Sequence, residues 1–170
     1  ADLTNTTLLE SSAKWFIPVI ISTGMSRLDE IERASELMNR CNCPFALLHC
    51  NSTYPTPFKD ISLKFMPQLS RYSESGLYGY SGHERGIEVP LAAIAMGACI
   101  IEKHFTIDRS MRGNDHKVSL LPAEFSKMVS AGRNITEALG SSERSMSQGE
   151  MINRENLAKS IVASRNIEAG

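Results

Sequence analysis

Two histidines carry the sharpest chemical signal in the sequence. His83 and His104 each end a short apolar run, and each has a polar residue two positions earlier, Ser81 and Glu102. Side chains of an extended strand alternate faces, so residues i and i+2 point the same way. Ser81 therefore shares a side with His83, and Glu102 with His104, while Lys103 points oppositely. Neighbouring strands lie about 4.8 Å apart. Two imidazoles at adjacent strand ends can converge on one divalent metal, with water or a substrate oxygen completing the shell. The alternative is two unrelated, hydrogen-bonded histidines. Cys50, Ser52 and Tyr54 share a side if their strand continues, and Ser22 faces with Gly24. Ser22, Ser52 and Ser81 place hydroxyls at three consecutive strand ends, which suits a phosphate or a carboxylate, although each serine alone is unremarkable. A Lys at this rim can form a Schiff base, but parity turns Lys103 toward the helices and argues against it. His49 stops short of its strand end and reads as structural. His116, on a polar loop, reads as solvated.

The elements that must position these groups alternate β and α along the chain. A short helix is expected over 4–15, capped by Thr4 or Asn5. The run 17–23 reads as a buried strand closed by Gly24. Ser26 is expected to cap a helix whose apolar stripe is Leu28, Ile31, Ala34, Leu37, Met38 and Cys41. A second strand spans 44–50, a weaker helix about 60–72 and a third strand 77–81. An Ala-rich helix follows over 87–96 and a fourth strand over 98–105. The loop 106–119 is long for a βα connection, and loops of that length are often functional. Pro122 opens a last helix that runs to Leu139 and stops at Gly140. Strands followed by helices indicate a parallel sheet, either doubly wound or a (β/α)8 TIM barrel. Polar residues at the C-terminal end of every strand favour the barrel, whose active-site rim lies there. Composition shifts to Ser, Gln, Glu and Gly after 140. The expected organisation is therefore 1–140 barrel, 141–156 linker, and 157–170 the start of another domain, with Ser160–Ala163 as its first strand.

Composition narrows the partners. The chain has 170 residues, 42% hydrophobic and 22% charged, with a formal net charge of −1. That near-neutral balance disfavours nucleic acid and membrane surfaces as principal partners. No apolar run reaches the length of a membrane span, and the first residues lack the features of a secretory signal. Four cysteines, without zinc-type spacing, read as free and mostly buried thiols in a reducing, cytoplasmic setting.

The strand ends also spell an ordered set of phrases. These are Ile21-Ser22-Thr23-Gly24-Met25, Leu48-His49-Cys50-Asn51-Ser52-Thr53-Tyr54-Pro55, Gly79-Tyr80-Ser81-Gly82-His83-Glu84 and Ile101-Glu102-Lys103-His104-Phe105-Thr106. Gly113-Asn114-Asp115-His116-Lys117, Asn153-Arg154 and Lys159-Ser160-Ile161-Val162-Ala163 follow. Together they resemble the sialic acid (N-acetylneuraminate) synthase family over essentially the whole chain. The resemblance implies strands five to eight of a TIM barrel, followed by the start of an antifreeze-like (SAF) domain. It implies condensation of phosphoenolpyruvate with N-acetylmannosamine or a related amino sugar, and a homodimer when full length. It also implies a divalent metal, Mn2+ or Mg2+, on His83 and His104. Ser22, Ser52 and Ser81 match phosphoenolpyruvate-holding positions, although some relatives carry Asn at the position of Ser52. Tyr54 and Asp115 match sugar-contacting positions. Asp2 and Glu102 match acidic residues near the reacting centre and the metal. A complete barrel takes about 250 residues, so the resemblance places about 110 more upstream, including anion-binding lysines. The chain alone is expected to be inactive and prone to self-association through its open sheet edges. A metal-dependent hydrolase barrel and a non-catalytic binding module are the competing readings.

Overall fold

Residues 2–169 are described by a computed structural model. Four strands, β1 (Val19–Ser22), β2 (Phe45–Cys50), β3 (Tyr78–Gly82) and β4 (Ile100–Lys103), form one sheet in the order β1-β2-β3-β4. All three pairings are parallel. A doubly wound sheet reverses its strand order at a switch point, whereas a barrel adds strands in sequence. The unbroken order is that of a half-barrel.

Parity along the strands separates two faces. Val19, Ile21, Phe45, Leu47, Tyr78, Tyr80 and Ile101 enter the two hydrophobic cores, together with residues of the covering helices. Those helices are α1 (Thr6–Ala13), α2 (Leu28–Arg40) and α3 (Glu88–Ala95), while α4 (Pro122–Leu139) packs against α3. The opposite parity, including Ile20, Ser22, Cys50, Ser81 and Glu102, faces what is the interior of a closed barrel.

Local chemistry sets the helix ends. Asn5 caps α1, its side chain accepting the Leu8 N–H at 3.1 Å. The cap of α2 is Arg27 rather than the expected Ser26. The Glu30 carboxylate accepts the Arg27 N–H at 2.7 Å and satisfies the donor that the entry to the helix leaves free. The Ser26 hydroxyl instead bonds back to the Gly24 carbonyl. The expected helix over 60–72 is two 3-10 segments, Phe58–Asp60 and Leu63–Arg71. Pro67 lies inside the second, where it lacks the N–H that an α-helix needs, and Ser62 enters it at φ 52°. Met66 and Leu69 are nevertheless fully buried.

The chain divides into two compact units after Leu139. In the second, helix α5 (Gln148–Leu157) occupies the stretch expected as a linker. A reciprocal capping box starts it: Ser147 accepts the Glu150 N–H, and Glu150 accepts the Ser147 N–H. Ser160–Ala163, expected as a strand, is not in one. Strand geometry is held by hydrogen bonds to a neighbour, and none pairs with it among the described residues. All four cysteines are free, but only Cys43 is buried, and Cys99 is exposed. No helix among the described residues is long and apolar enough to cross a membrane.

Candidate active site

Strand register builds the site. Cys50 is level with Ser81, and Ser81 with Glu102, forming one row across β2, β3 and β4. Two residues further along each strand line stand Ser52, His83 and His104, on the same face by the strand's period of two. Ser22, level with Leu48, brings Gly24 to the end of the Cys50 row. A side chain at Gly24 is excluded there: a Cβ would collide with the Ser52 hydroxyl and lie 2.9 Å from the Cys50 sulfur.

The result is a cavity of about 360 Å3 lined by Ser22, Gly24, Met25, Ser52, Tyr54, Ser81, His83, Glu102 and His104. It gathers seven of the nine site residues expected from sequence. Asp2 lies outside it, exposed on the first 3-10 turn, beside an adjoining cavity of about 210 Å3 that shares Ser22. Asp115, exposed on a 3-10 turn, also lies outside the lining, although its charge reaches Tyr54 and His104.

Three aromatic rings meet in the cavity. The imidazoles of His83 and His104 lie 5.0 Å apart, centre to centre. The Tyr54 ring is 4.1 Å from His83 and 5.7 Å from His104. His83 Nδ1 lies 2.7 Å from the Asn51 carbonyl, which can only accept, so Nδ1 carries a proton. In the neutral ring the Nε2 lone pair is then directed at Tyr54, whose hydroxyl donates to it at 2.8 Å. The Ser81 hydroxyl donates to Glu102 Oε1 at 2.7 Å.

Charge is unevenly held. Burial opposes protonation of His83, but its contacts with Cys50 and the Asn51 carbonyl outweigh burial and hold its pKa above the ordinary imidazole value. His104 is pushed below that value by burial and by His83 beside it. Burial alone would raise the Cys50 thiol, yet His83, 3.7 Å away, and the neighbouring serine hydroxyls bring it below the usual thiol range. Tyr54 is raised by burial and by the negative groups around it, so its hydroxyl stays a donor.

Cys50 is the residue that sequence reasoning passed over. Its parity with Ser52 and Tyr54 marked it for this face, but its residue type suggested an inert buried thiol. His49 goes to the other face. Its Nε2 bonds the Ile61 carbonyl at 2.6 Å, its ring meets Phe65 edge-on, and its Nδ1 is a buried atom without a partner. Lys103 also points to the helix side, with its ammonium 2.6 Å from the Glu84 carboxylate. A larger cavity, about 560 Å3, lies between α3, β4 and α4, but its lining is dominated by apolar residues such as Ile94, Phe125 and Met128.

Among the described residues no group of three or more His, Cys, Asp or Glu stands close enough to hold a metal ion. Any metal in the cavity would take His83 and His104 as its protein nitrogens and fill the rest of its shell from solvent or substrate. The donor chemistry fits that role. The Asn51 bond fixes His83 in the tautomer with a free Nε2, as second-shell carbonyls do for metal-binding histidines.

The chain is similar in sequence and in fold to known proteins. The chain is 41% identical over 172 residues to the N,N'-diacetyllegionaminic acid synthase of Campylobacter jejuni, covering 99% of this chain and 51% of that protein. It is 37% identical over 169 residues to the N-acetylneuraminate-9-phosphate synthase of Mus musculus, covering 99% of this chain and 47% of that one. The chain thus spans about half the length of the curated relatives it matches. The crystal structure of a sialic acid synthetase from Leptospira borgpetersenii superimposes with a TM-score of 0.80 at 39% identity, covering 94% of this chain and 56% of that one. The pattern of the NeuB family matches residues 1–144, and the chain belongs to that family.

Proposed function

We propose that the full-length protein condenses phosphoenolpyruvate with an N-acetylated amino sugar, giving a nonulosonic acid and inorganic phosphate. The observation that carries this reading is the convergence of His83, His104, Glu102 and three serine hydroxyls at the C-terminal rim of the half-barrel. That rim is where barrel enzymes keep their chemistry, and the chain's relatives are synthases of such acids.

In this reading the methylene of phosphoenolpyruvate attacks the aldehyde carbon of the open-chain sugar. Water adds at the enol carbon, and phosphate leaves by carbon–oxygen cleavage. His83 and His104 hold a divalent metal, Mn2+ or Mg2+. When bound, that ion supplies Lewis-acid polarisation of the sugar carbonyl. Ser22 and Ser52 donate to the anionic groups of phosphoenolpyruvate, and Ser81 does so once its O–H turns from Glu102 to the ligand. Glu102, released from Ser81, orients the attacking water. Tyr54, held protonated, swings its hydroxyl from His83 to the sugar. Asp115, placed beside the cavity rather than in it, contacts the sugar once it is bound, and Asp2, also outside the lining, serves as the acidic residue near the reacting centre. The same reading takes the four strands as barrel strands five to eight, the end of the chain as leading into an antifreeze-like domain, and the full-length protein as a homodimer.

The test is phosphate release by the full-length protein, with Mn2+ and phosphoenolpyruvate. N-acetylmannosamine, the diacetylated sugar that leads to legionaminic acid and the altro sugar that leads to pseudaminic acid are offered in turn. Sugar-dependent phosphate release is expected with one of them. Metal-dependent turnover that needs no phosphoenolpyruvate would point instead to a hydrolase, and no turnover with any sugar would remove the reading.

A further inference from the structure

The residues that follow His83 and precede His104 are themselves paired, on the opposite face of the sheet. Lys103 Nζ lies 2.6 Å from Glu84 Oε1, and it also donates to the Glu84 carbonyl. Both side chains are 0% exposed. The other carboxylate oxygen, Oε2, accepts the Tyr80 hydroxyl at 2.5 Å. Every partner of the Glu84 carboxylate therefore comes from a strand that carries a site residue, β3 or β4. Gly82 makes the arrangement possible: a Cβ there would lie 2.7 and 2.8 Å from the two carboxylate oxygens and 2.6 Å from the Tyr80 ring. The carboxylate folds back over the glycine that immediately precedes His83.

A buried ion pair is a poor device for stability alone. Removing two charges from water costs about as much as their attraction returns, and apolar residues of the same size often serve as well or better. What such a pair adds is a fixed geometry. Lys103 grips a backbone atom as well as a side chain, so the turn at 83–84 is tied to the end of β4 at two points. Strand alternation does the rest. With Lys103 and Glu84 locked on the helix side, the adjacent His104 and His83 are locked on the cavity side.

We infer that Lys103, Glu84 and Tyr80 form a buried clamp that sets His83 against His104, making Lys103 and Glu84 positioning residues for the pair of imidazoles. The inference deepens the proposed function and rests on it where it invokes a metal. The clamp acts through two local consequences: the distance between the imidazoles, and the hydrogen bond from His83 Nδ1 to the Asn51 carbonyl that keeps Nε2 free.

The experiment replaces the network whole in the full-length protein, as Tyr80→Phe/Glu84→Leu/Lys103→Met, so that no buried charge or hydroxyl is left unpaired. A second variant, Lys103→Gln, keeps a donor in place of the ammonium, and it gives an independent reading should the triple variant not fold. Three properties are read: the melting temperature, Mn2+ affinity by calorimetry, and the tautomer of His83 from the imidazole 15N spectrum of the metal-free protein. The triple variant is expected to melt close to the wild type and to bind Mn2+ roughly 10–100-fold more weakly, the range for lost outer-shell partners. His83 should show a mixture of tautomers in place of one. Lys103→Gln should shift affinity and tautomer in the same direction. Wild-type affinity and a single tautomer in the variants would overturn the clamp, whatever their melting temperature. If the wild-type protein binds no Mn2+, the metal reading fails, and the imidazole spectrum still decides the clamp.

Discussion

The two faces at the end of this sheet are built from alternate residues of the same strands, yet they hold charge in opposite ways. On the helix side, the Glu84 and Lys103 side chains are fully buried, Tyr80 is buried beside them, and each polar atom of the cluster points at a partner. On the cavity side, Ser81, Glu102, His83 and His104 line one cavity, Glu102 exposed and His104 half-buried, with the pKa values of the two histidines pushed in opposite directions. A satisfied network resists change, whereas a partly satisfied one is ready to accept a ligand. One strand thus supplies scaffold and chemistry at once, separated only by the pleat.

The largest expected effect breaks the cavity side. His83→Ala or His104→Ala in the full-length protein should lower metal-dependent turnover by more than the roughly 10–100-fold that loss of an outer-shell partner costs, with the melting temperature little changed. Full activity in His104→Ala would remove the metal assignment. Next comes the helix side. Lys103→Met alone leaves the Glu84 carboxylate buried without its cation and should cost about 3–5 kcal/mol in a denaturant titration. A loss under 1 kcal/mol would mean that water or another group reaches the carboxylate.

The third prediction applies one methyl group to each face. Gly24→Ala drives a Cβ into the Ser52 hydroxyl and should raise the KM for phosphoenolpyruvate more than it lowers stability, because Ser52 can rotate away at the expense of its ligand contact. Gly82→Ala meets the clamped Glu84 carboxylate and should cost about 1–3 kcal/mol of stability, as overpacking does. Equal stability losses in the two variants would erase the distinction between the faces.

The smallest effect concerns His49, which burial in the helix-side core holds below the ordinary imidazole pKa, against a raising bond to the Ile61 carbonyl. The folded state then binds this proton less readily than the unfolded chain. The stability His49 contributes is complete above the unfolded pKa of about 6.5 and declines as the pH falls below it toward the depressed folded value. Melting temperatures measured from pH 8 to pH 5 should show a steeper acid decline in the wild type than in His49→Gln. Parallel curves would show that His49 is not buried neutral.

Much of this is legible in the sequence. Strand alternation placed His83 with Ser81, His104 with Glu102, and Lys103 on the far side. It did so because the period of two is a property of the extended chain itself. Helix α4 matched its expected bounds, Pro122 to Leu139, since Pro at the start and Gly after the end are local signals. Short-range chemistry misled where two local signals competed. Ser26 has the residue type of a cap, but Glu30 satisfies the N–H of Arg27. A weaker helix is expected over 60–72, but Pro67 and the left-handed Ser62 leave only 3-10 turns.

Sequence by itself therefore determined which side chains share a face and which residue types stand at each strand end. Only the tertiary structure decided what they meet there. Register across β2, β3 and β4 brings Cys50 level with Ser81 and Glu102. Loop geometry lays the Tyr54 hydroxyl on His83 and leaves Asp2 and Asp115 beside the cavity. Lys103 finds Glu84, nineteen positions away along the chain. The physical reason is that facing is fixed within one strand by backbone stereochemistry. Meeting instead depends on hydrogen-bonded register and on packing between segments distant in sequence, and neither is encoded at any single position.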